Sequence, residues 1–163
     1  MTGREPTWGD LRSPVMFLAL GFGSGLLFRR GAGTAGTVVG VLLYMLIEPT
    51  SDQIYAAVVG LLVVGGIPIC GAATKRLGHH DHPAIVLDEI AAFMIVMVGL
   101  PATPAWVLAG FGMFRLFDIN KPWPISVLDK KLPGGLGVMA DDVLAALLAC
   151  GTLHVARMVL AAL

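Results

Sequence analysis

The sequence predicts an all-α fold: a multihelical integral membrane bundle of transmembrane and interfacial helices, in a single domain over residues 1–163. Three observations carry this. Hydrophobic residues make up 56% of the chain against 13% charged, with a mean hydropathy of +0.83; a soluble domain carries about 25% charged residues, so these few charges cannot cover a water-facing surface. The charges also fall in blocks, leaving long uncharged stretches at 31–47, 53–74 and 90–114, and a fourth at 143–163 interrupted by His154 and Arg157. Finally, β-branched alternation is weak throughout, and no hairpin signal or internal repeat is visible.

Taken in order, the apolar segment 14–28 contains Gly21, Gly23 and Gly25, each costing about 1 kcal/mol relative to alanine in a helix, which predicts an interfacial segment rather than a span. Stretches 31–47 and 53–74 form a helical hairpin turning at Glu48 to Asp52. A span needs about 20 apolar residues, so the second is the stronger one. Stretch 90–114 is broken by Gly99-Leu100-Pro101-Ala102-Thr103-Pro104. Proline lacks an amide donor and restricts the residue before it, which predicts two helices folded back on each other. The fourth stretch completes the bundle.

Orientation follows from the basic residues. Arg29 and Arg30 precede the first span, Lys75 and Arg76 follow the second, and the turn between them has no Lys or Arg; both outer ends are therefore expected in the cytoplasm. The break at 99–104 keeps Arg115, Lys121, Lys130 and Lys131 on that same side. Because Arg29 and Arg30 follow the first apolar run instead of preceding it, the N-terminus is expected to be retained. Lys plus Arg and Asp plus Glu each total 11, so no net positive field exists to attract a nucleic acid. Cys70 and Cys150 lie far apart in apolar stretches and read as reduced packing residues.

Acids are few, yet five of them occupy three places bordering apolar helices: Asp88-Glu89, Asp118 and Asp141-Asp142. A carboxylate beside hydrocarbon is costly unless paired or bound to a cation, and hard cations such as Mg2+ take carboxylate, water and phosphate oxygens. Two readings stand: a shared cation site, or solvated acids at helix starts, where the helix dipole favours them and where Asp141 and Asp142 would open a helix. In Phe117-Asp118-Ile119-Asn120-Lys121-Pro122-Trp123-Pro124, Asp118 and Lys121 share a face on a last helical turn that the prolines stop, bringing a metal ligand and a phosphate-binding cation together; the plainer reading is an Asp-Lys pair beside an interfacial Trp123. The run Pro133-Gly134-Gly135-Leu136-Gly137 either offers amides to a phosphate at a helix start or forms a flexible turn. Thr34 and Thr37, within Gly33-Thr34-Ala35-Gly36-Thr37, could offer hydroxyls, while Gly36 and Gly40 make a small-residue packing face. His79, His80 and His82 lack zinc-ligand spacing and read as a pH-dependent surface loop, in which Asp81, seven residues before Asp88, is a supporting acid.

In order along the chain, Gly21-Phe22-Gly23-Ser24-Gly25, Gly33-Thr34-Ala35-Gly36-Thr37, Ile85-Val86-Leu87-Asp88-Glu89, Phe117-Asp118-Ile119-Asn120-Lys121-Pro122-Trp123-Pro124 and Gly134-Gly135-Leu136-Gly137-Val138-Met139-Ala140-Asp141-Asp142 resemble the phosphatidylglycerophosphatase A family, with Phe-Asp-x-x-Lys-Pro-x-Pro the most telling segment. The resemblance implies a multihelical fold and Mg2+-dependent hydrolysis of phosphatidylglycerophosphate to phosphatidylglycerol and phosphate, a step of phospholipid biosynthesis, in the bacterial inner membrane. Asp88, Glu89, Asp118, Asp141 and Asp142 are then expected to hold Mg2+ directly or through water and, with Lys121, to form the catalytic set. Lys121, Arg115, Thr34, Thr37, Gly134 and Gly135 are expected at the substrate phosphate. The metal would polarise the phosphoryl group and orient a water nucleophile; an Asp-x-Asp nucleophile pair is absent from the sequence. The alternative from another class is a helical membrane carrier or structural protein whose acids line an ion or substrate path, and it expects those acids near the middle of the spans.

Overall fold

A computed structural model describes residues 3–28, 31–79, 82–127 and 132–162. Arg29, Arg30, His80, Asp81, Lys130 and Lys131, and with them part of the orientation argument and the supporting role expected of Asp81, lie outside the described residues. The described elements are helical throughout, with no strand among them: α1 (Pro14–Ala19), α2 (Ala32–Ile47), α3 (Asp52–Leu77), α4 (Leu87–Val96), α5 (Pro104–Asn120) and α6 (Gly134–Ala161), with 3-10 segments at Trp8–Arg12 and Gly21–Leu26.

Helices α3 and α6 are both long and apolar enough to cross a membrane. At 1.5 Å per residue they run about 39 and 42 Å, against about 30 Å of hydrocarbon. In their most apolar windows only 17% and 22% of residues are buried, so leucines, valines and methionines point outwards: Leu61, Val64, Leu147, Val155 and Met158 are all exposed. A soluble fold hides such side chains; a bilayer solvates them. Helix α2, of 16 residues, is shorter, and α1 with its neighbouring glycine segment forms no helix long enough to span.

The core is built around α4, every residue of which except Glu89 is buried. Helices α2, α3, α5 and α6 surround it. Glycines set the closest approaches. A side chain on Gly36 would strike Val86, and one on Gly40 would strike Ile90 and Phe93, so the small-residue face of α2 lies against α4 and lets the backbones approach closely. Gly135 does the same between α6 and α3, where a Cβ would meet the Ile67 carbonyl and the Gly71 backbone.

The break expected at residues 99–104 separates α4 from α5: α4 stops at Val96, Gly99 adopts φ +69°, and Pro104 opens α5 at its first position. The pair folds back on itself, as Gly110 of α5 lies beside Val96 and Met97 and Arg115 lies beside Glu89. Both site-bearing ends of the pair therefore lie at one end of the bundle.

The N-terminal segment is sewn to that end. Buried Asp10 accepts from Arg4 Nη2 at 2.6 Å and Nη1 at 2.9 Å, and from the Thr7 amide at 2.9 Å, while the Arg4 amide donates to Leu77 O at 2.9 Å at the end of α3. The Arg4 guanidinium holds the Asp10 carboxyl well below the usual carboxylate range. A carboxyl with a depressed folded pKa gives its full stabilisation above its unfolded value of about 3.9 and loses it as pH falls through the folded one. The segment is therefore expected to stay docked from neutral pH down to about pH 4. Asp10→Asn should release it at pH 7, seen as faster tryptic cleavage at Arg12. Cleavage at the wild-type rate would show that the Arg4–Asp10 pair does not hold the segment.

Candidate active site

Carboxylates from three helices meet at one end of the bundle. Asp88 and Glu89 occupy the first turn of α4, where the positive end of the helix dipole favours them. Asp142 projects from α6, and one ligand oxygen from each of Asp88, Glu89 and Asp142 lies within 4.8 Å of the other two. Asp118, near the C-terminus of α5, and Asp141, next to Asp142, both bear electrostatically on the Asp142 carboxylate. Asp88, Asp141 and Asp142 are each 5% exposed or less. The Asp88 carboxylate accepts the Glu89 amide at 3.0 Å.

Two cations stand among these acids. Arg115 Nη1 is 2.5 Å from Asp118 Oδ2 and 4.0 Å from Glu89 Oε1, linking α5 to α4. Lys121 Nζ donates to Asp141 Oδ2 at 2.6 Å, linking the end of α5 to α6. Lys121 can turn toward α6 because it is the left-handed C-cap of α5, with φ 40°. The sequence reading placed Lys121 with Asp118 on a last helical turn; the helix ends one residue earlier, at Asn120, and the ion pair formed by Lys121 is with Asp141.

Burial also corrects one reading of Asp141 and Asp142, that of solvated acids at a helix start. Helix α6 begins at Gly134, seven residues before Asp141, so neither acid opens a helix or faces solvent there. The physical reason lies in the glycines: Gly134, Gly135 and Gly137 belong to the first turns of α6, and Gly135 lets those turns press against α3. Among the described residues, Glu89 Oε2 and Asp142 Oδ2 are buried with no hydrogen-bond partner. Unpartnered buried carboxylate oxygens are expensive, and an all-oxygen donor set fits a hard divalent cation such as Mg2+.

The remaining expected residues are not all brought to this cluster: Gly135 packs against Ile67 and Gly71 of α3. Thr34 is exposed on the first turn of α2, whereas the Thr37 hydroxyl is fully buried and donates to Gly33 O at 2.8 Å. His82 belongs elsewhere and is buried, a correction to the surface-loop reading: its Nδ1 accepts the Ala84 amide at 3.2 Å and its Nε2 is 3.7 Å from Glu5. It borders a cavity of about 620 Å³ between the N-terminal segment, Ala32 and residues 82–84. Gly33, read from the sequence only as part of a segment offering hydroxyls and amides, lies against Glu89: a Cβ there would collide with Glu89 Oε1 and lie 3.0 Å from Arg115 Nη1. The available signal was its place one turn before Gly36 on the same small-residue stripe.

Fold and site together define a class: an all-helical enzyme with two helices long and apolar enough to cross a membrane, whose clustered oxygen donors and flanking cations suit phosphate-ester chemistry. The family model for phosphatidylglycerophosphatase A matches residues 17–157. A Haemophilus influenzae phosphatidylglycerophosphatase A is 44% identical over 145 residues, covering 86% of each chain, and the Escherichia coli protein of the same name is 38% identical over 145 residues, covering 88% of this chain and 84% of its own. A Bacteroides thetaiotaomicron relative carrying a provisional phosphatidylinositol-3-phosphatase name is 34% identical over 156 residues, covering 90% of this chain and 95% of its own. No solved structure matches significantly. The chain belongs to the phosphatidylglycerophosphatase A family, and that membership makes it an enzyme of the phosphatase class.

Proposed function

We propose that this chain is a Mg2+-dependent lipid phosphatase of the bacterial inner membrane, hydrolysing phosphatidylglycerophosphate to phosphatidylglycerol and phosphate with its site on the cytoplasmic side. The observation that carries this is the meeting of Asp88, Glu89 and Asp142 from two helices, with unpartnered oxygens on Glu89 and Asp142, in a chain matching the family over residues 17–157. Asp88, Glu89 and Asp142 would hold the ion, while Asp118 and Asp141 fix Arg115 and Lys121. The ion, when bound, supplies Lewis-acid polarisation of the phosphoryl group and lowers the pKa of a bound water.

The chain's own groups do the rest. Arg115 and Lys121 bind the phosphate oxygens and oppose the charge that builds on them in the transition state. They are already aligned by Asp118 and Asp141, so little ordering remains when substrate binds. Thr34, exposed beside Gly33, donates its hydroxyl at the rim, whereas Thr37 is buried and bonded to Gly33 O and Gly135 packs on α3, so the phosphate contacts expected of those two are withdrawn. The lipid-facing sides of α3 and α6 let acyl chains stay in the bilayer while the headgroup reaches the acids. Lys75, Arg76, Arg115 and Lys121 near this end support a cytoplasmic orientation. The acids cluster at one end of the bundle: Asp142 lies 19 residues, about 28 Å, from the far end of α6. A carrier with acids along a central path lacks support from this arrangement.

Purified protein in detergent is expected to release phosphate from phosphatidylglycerophosphate with Mg2+ and to lose that release with a chelator, regaining it when Mg2+ is restored. Phosphatidylinositol phosphate, run in parallel, reads the headgroup selectivity. No release from either lipid across a range of divalent metals and detergents would overturn the phosphatase reading.

A further inference from the structure

Helix α4 ends inside the bundle instead of crossing it. From Asp88 to Val98 the chain rises about 15 Å, while α6 continues about 28 Å from Asp142 to Ala161. The turn after α4 therefore lies about 13 Å short of the far end of α6, at a depth where Val155, Met158 and Val159 face outwards. The last carbonyls of a helix have no intrahelical donors, and in hydrocarbon no water replaces them.

Three side chains from the neighbouring helices supply those donors. Tyr55 Oη of α3 donates to Met94 O at 2.6 Å. From α6, His154 Nε2 lies 2.9 Å from Val98 O, which makes it the protonated nitrogen, and Arg157 Nη1 donates to Gly99 O at 2.7 Å. The Arg157 charge also faces the negative end of the α4 dipole. His154 and Arg157 are the residues that interrupt an otherwise apolar stretch. An arginine at such depth is costly unless it has a task, and the exposed carbonyls of this turn provide one.

We propose that Tyr55, His154 and Arg157 are positioning residues for the active site: by gripping the Met94 carbonyl in the last turn of α4 and the Val98 and Gly99 carbonyls of the turn that follows it, they fix the height and rotation of α4, and so hold Asp88 and Glu89 against Asp142. The role given to these acids rests on the metal reading above. Helix α4 behaves as a rigid rod about three turns long, held at one end by this grip and bearing its carboxylates at the other. Arg115 and Lys121, which face the phosphate, are on α5 and beyond it, so loosening the grip should impair metal binding more than lipid binding.

The test compares Arg157→Met, Arg157→Lys and Tyr55→Phe with wild type in detergent, reading the Mg2+ concentration for half-maximal phosphate release, kcat and KM for the lipid, and the rise in Tm on adding Mg2+. Arg157→Met and Tyr55→Phe should each raise the half-saturating Mg2+ about tenfold, as loss of a supporting partner does at metal sites, and shrink the Mg2+-induced Tm rise. Lipid KM should change less than about twofold, and Arg157→Lys should restore most of the Mg2+ affinity. If Arg157→Met does not fold, Tyr55→Phe, which removes one hydroxyl and keeps the ring, carries the test alone. Unchanged Mg2+ dependence in the folded variants, with only the metal-free Tm lowered, would overturn the positioning role and leave the phosphatase reading intact. A wild type with neither phosphate release nor a Mg2+-induced Tm rise would overturn the metal reading and this inference with it.

Discussion

Asp142→Asn is expected to lower phosphate release by about a thousandfold while raising the Tm of the metal-free protein. The two effects share one cause. Asp142 has an oxygen within 4.8 Å of oxygens of Asp88 and Glu89, and mutual repulsion among acids buried this close costs the metal-free fold some of its stability. Asparagine keeps nearly the same volume and removes that repulsion, so the fold gains. It also removes an anionic oxygen that would hold the cation, so turnover fails. A Tm increase of about 3 °C or more with chelator present, together with loss of the Mg2+-induced Tm rise, is the expected signature. Near-normal turnover in a folded Asp142→Asn protein would move the metal site elsewhere. A large fall in its metal-free Tm would mean that Asp142 is a structural partner instead.

Gly135→Ala is expected to destabilise the protein by about 3 kcal/mol and to reduce activity with it, because one methyl group would have to fit where two spanning helices touch. The added Cβ would overlap the Ile67 carbonyl and lie 2.8 Å from the Gly71 Cα. These are backbone atoms, which cannot swing aside, so α6 must move away from α3 and carry Asp141 and Asp142 with it. Gly134→Ala is the control. Nothing lies within 4 Å of its Cβ position, and its φ of +65° makes alanine strained by only about 1–2 kcal/mol. Thermal melts of the two variants decide between packing and phosphate contact. Equal, small Tm losses accompanied by a raised lipid KM in both would favour amides turned toward the phosphate over a packing role for Gly135.

Much of this arrangement was legible in the chain. The two long apolar helices, the turn before Asp52 and the break at residues 99–104 all follow from local properties: transfer cost per residue, and the backbone limits of proline and glycine. The candidate acids were visible for the same reason, since a carboxylate beside hydrocarbon stands out in any register. The start of α6 was not. Glycines that look like a loop before Asp141 are its first turns, because α3 supplies a surface against which glycine's lack of a side chain is an advantage. The buried state of His82 was equally hidden, since it depends on the N-terminal segment returning to cover it.

The sequence by itself determined that this is a helical, membrane-type bundle of one family, with its acids at the borders of apolar helices. Only the tertiary structure decided which acids meet: Asp88 and Glu89 with Asp142, while Asp118 turns to Arg115 and Asp141 to Lys121. Hydropathy is summed residue by residue and so can be read along a line. Convergence depends on the rotation and height of each helix against its neighbours, and here those are set by contacts between residues far apart in the chain: Gly36 on Val86, Gly135 on Gly71, and Arg157 on the carbonyl of Gly99.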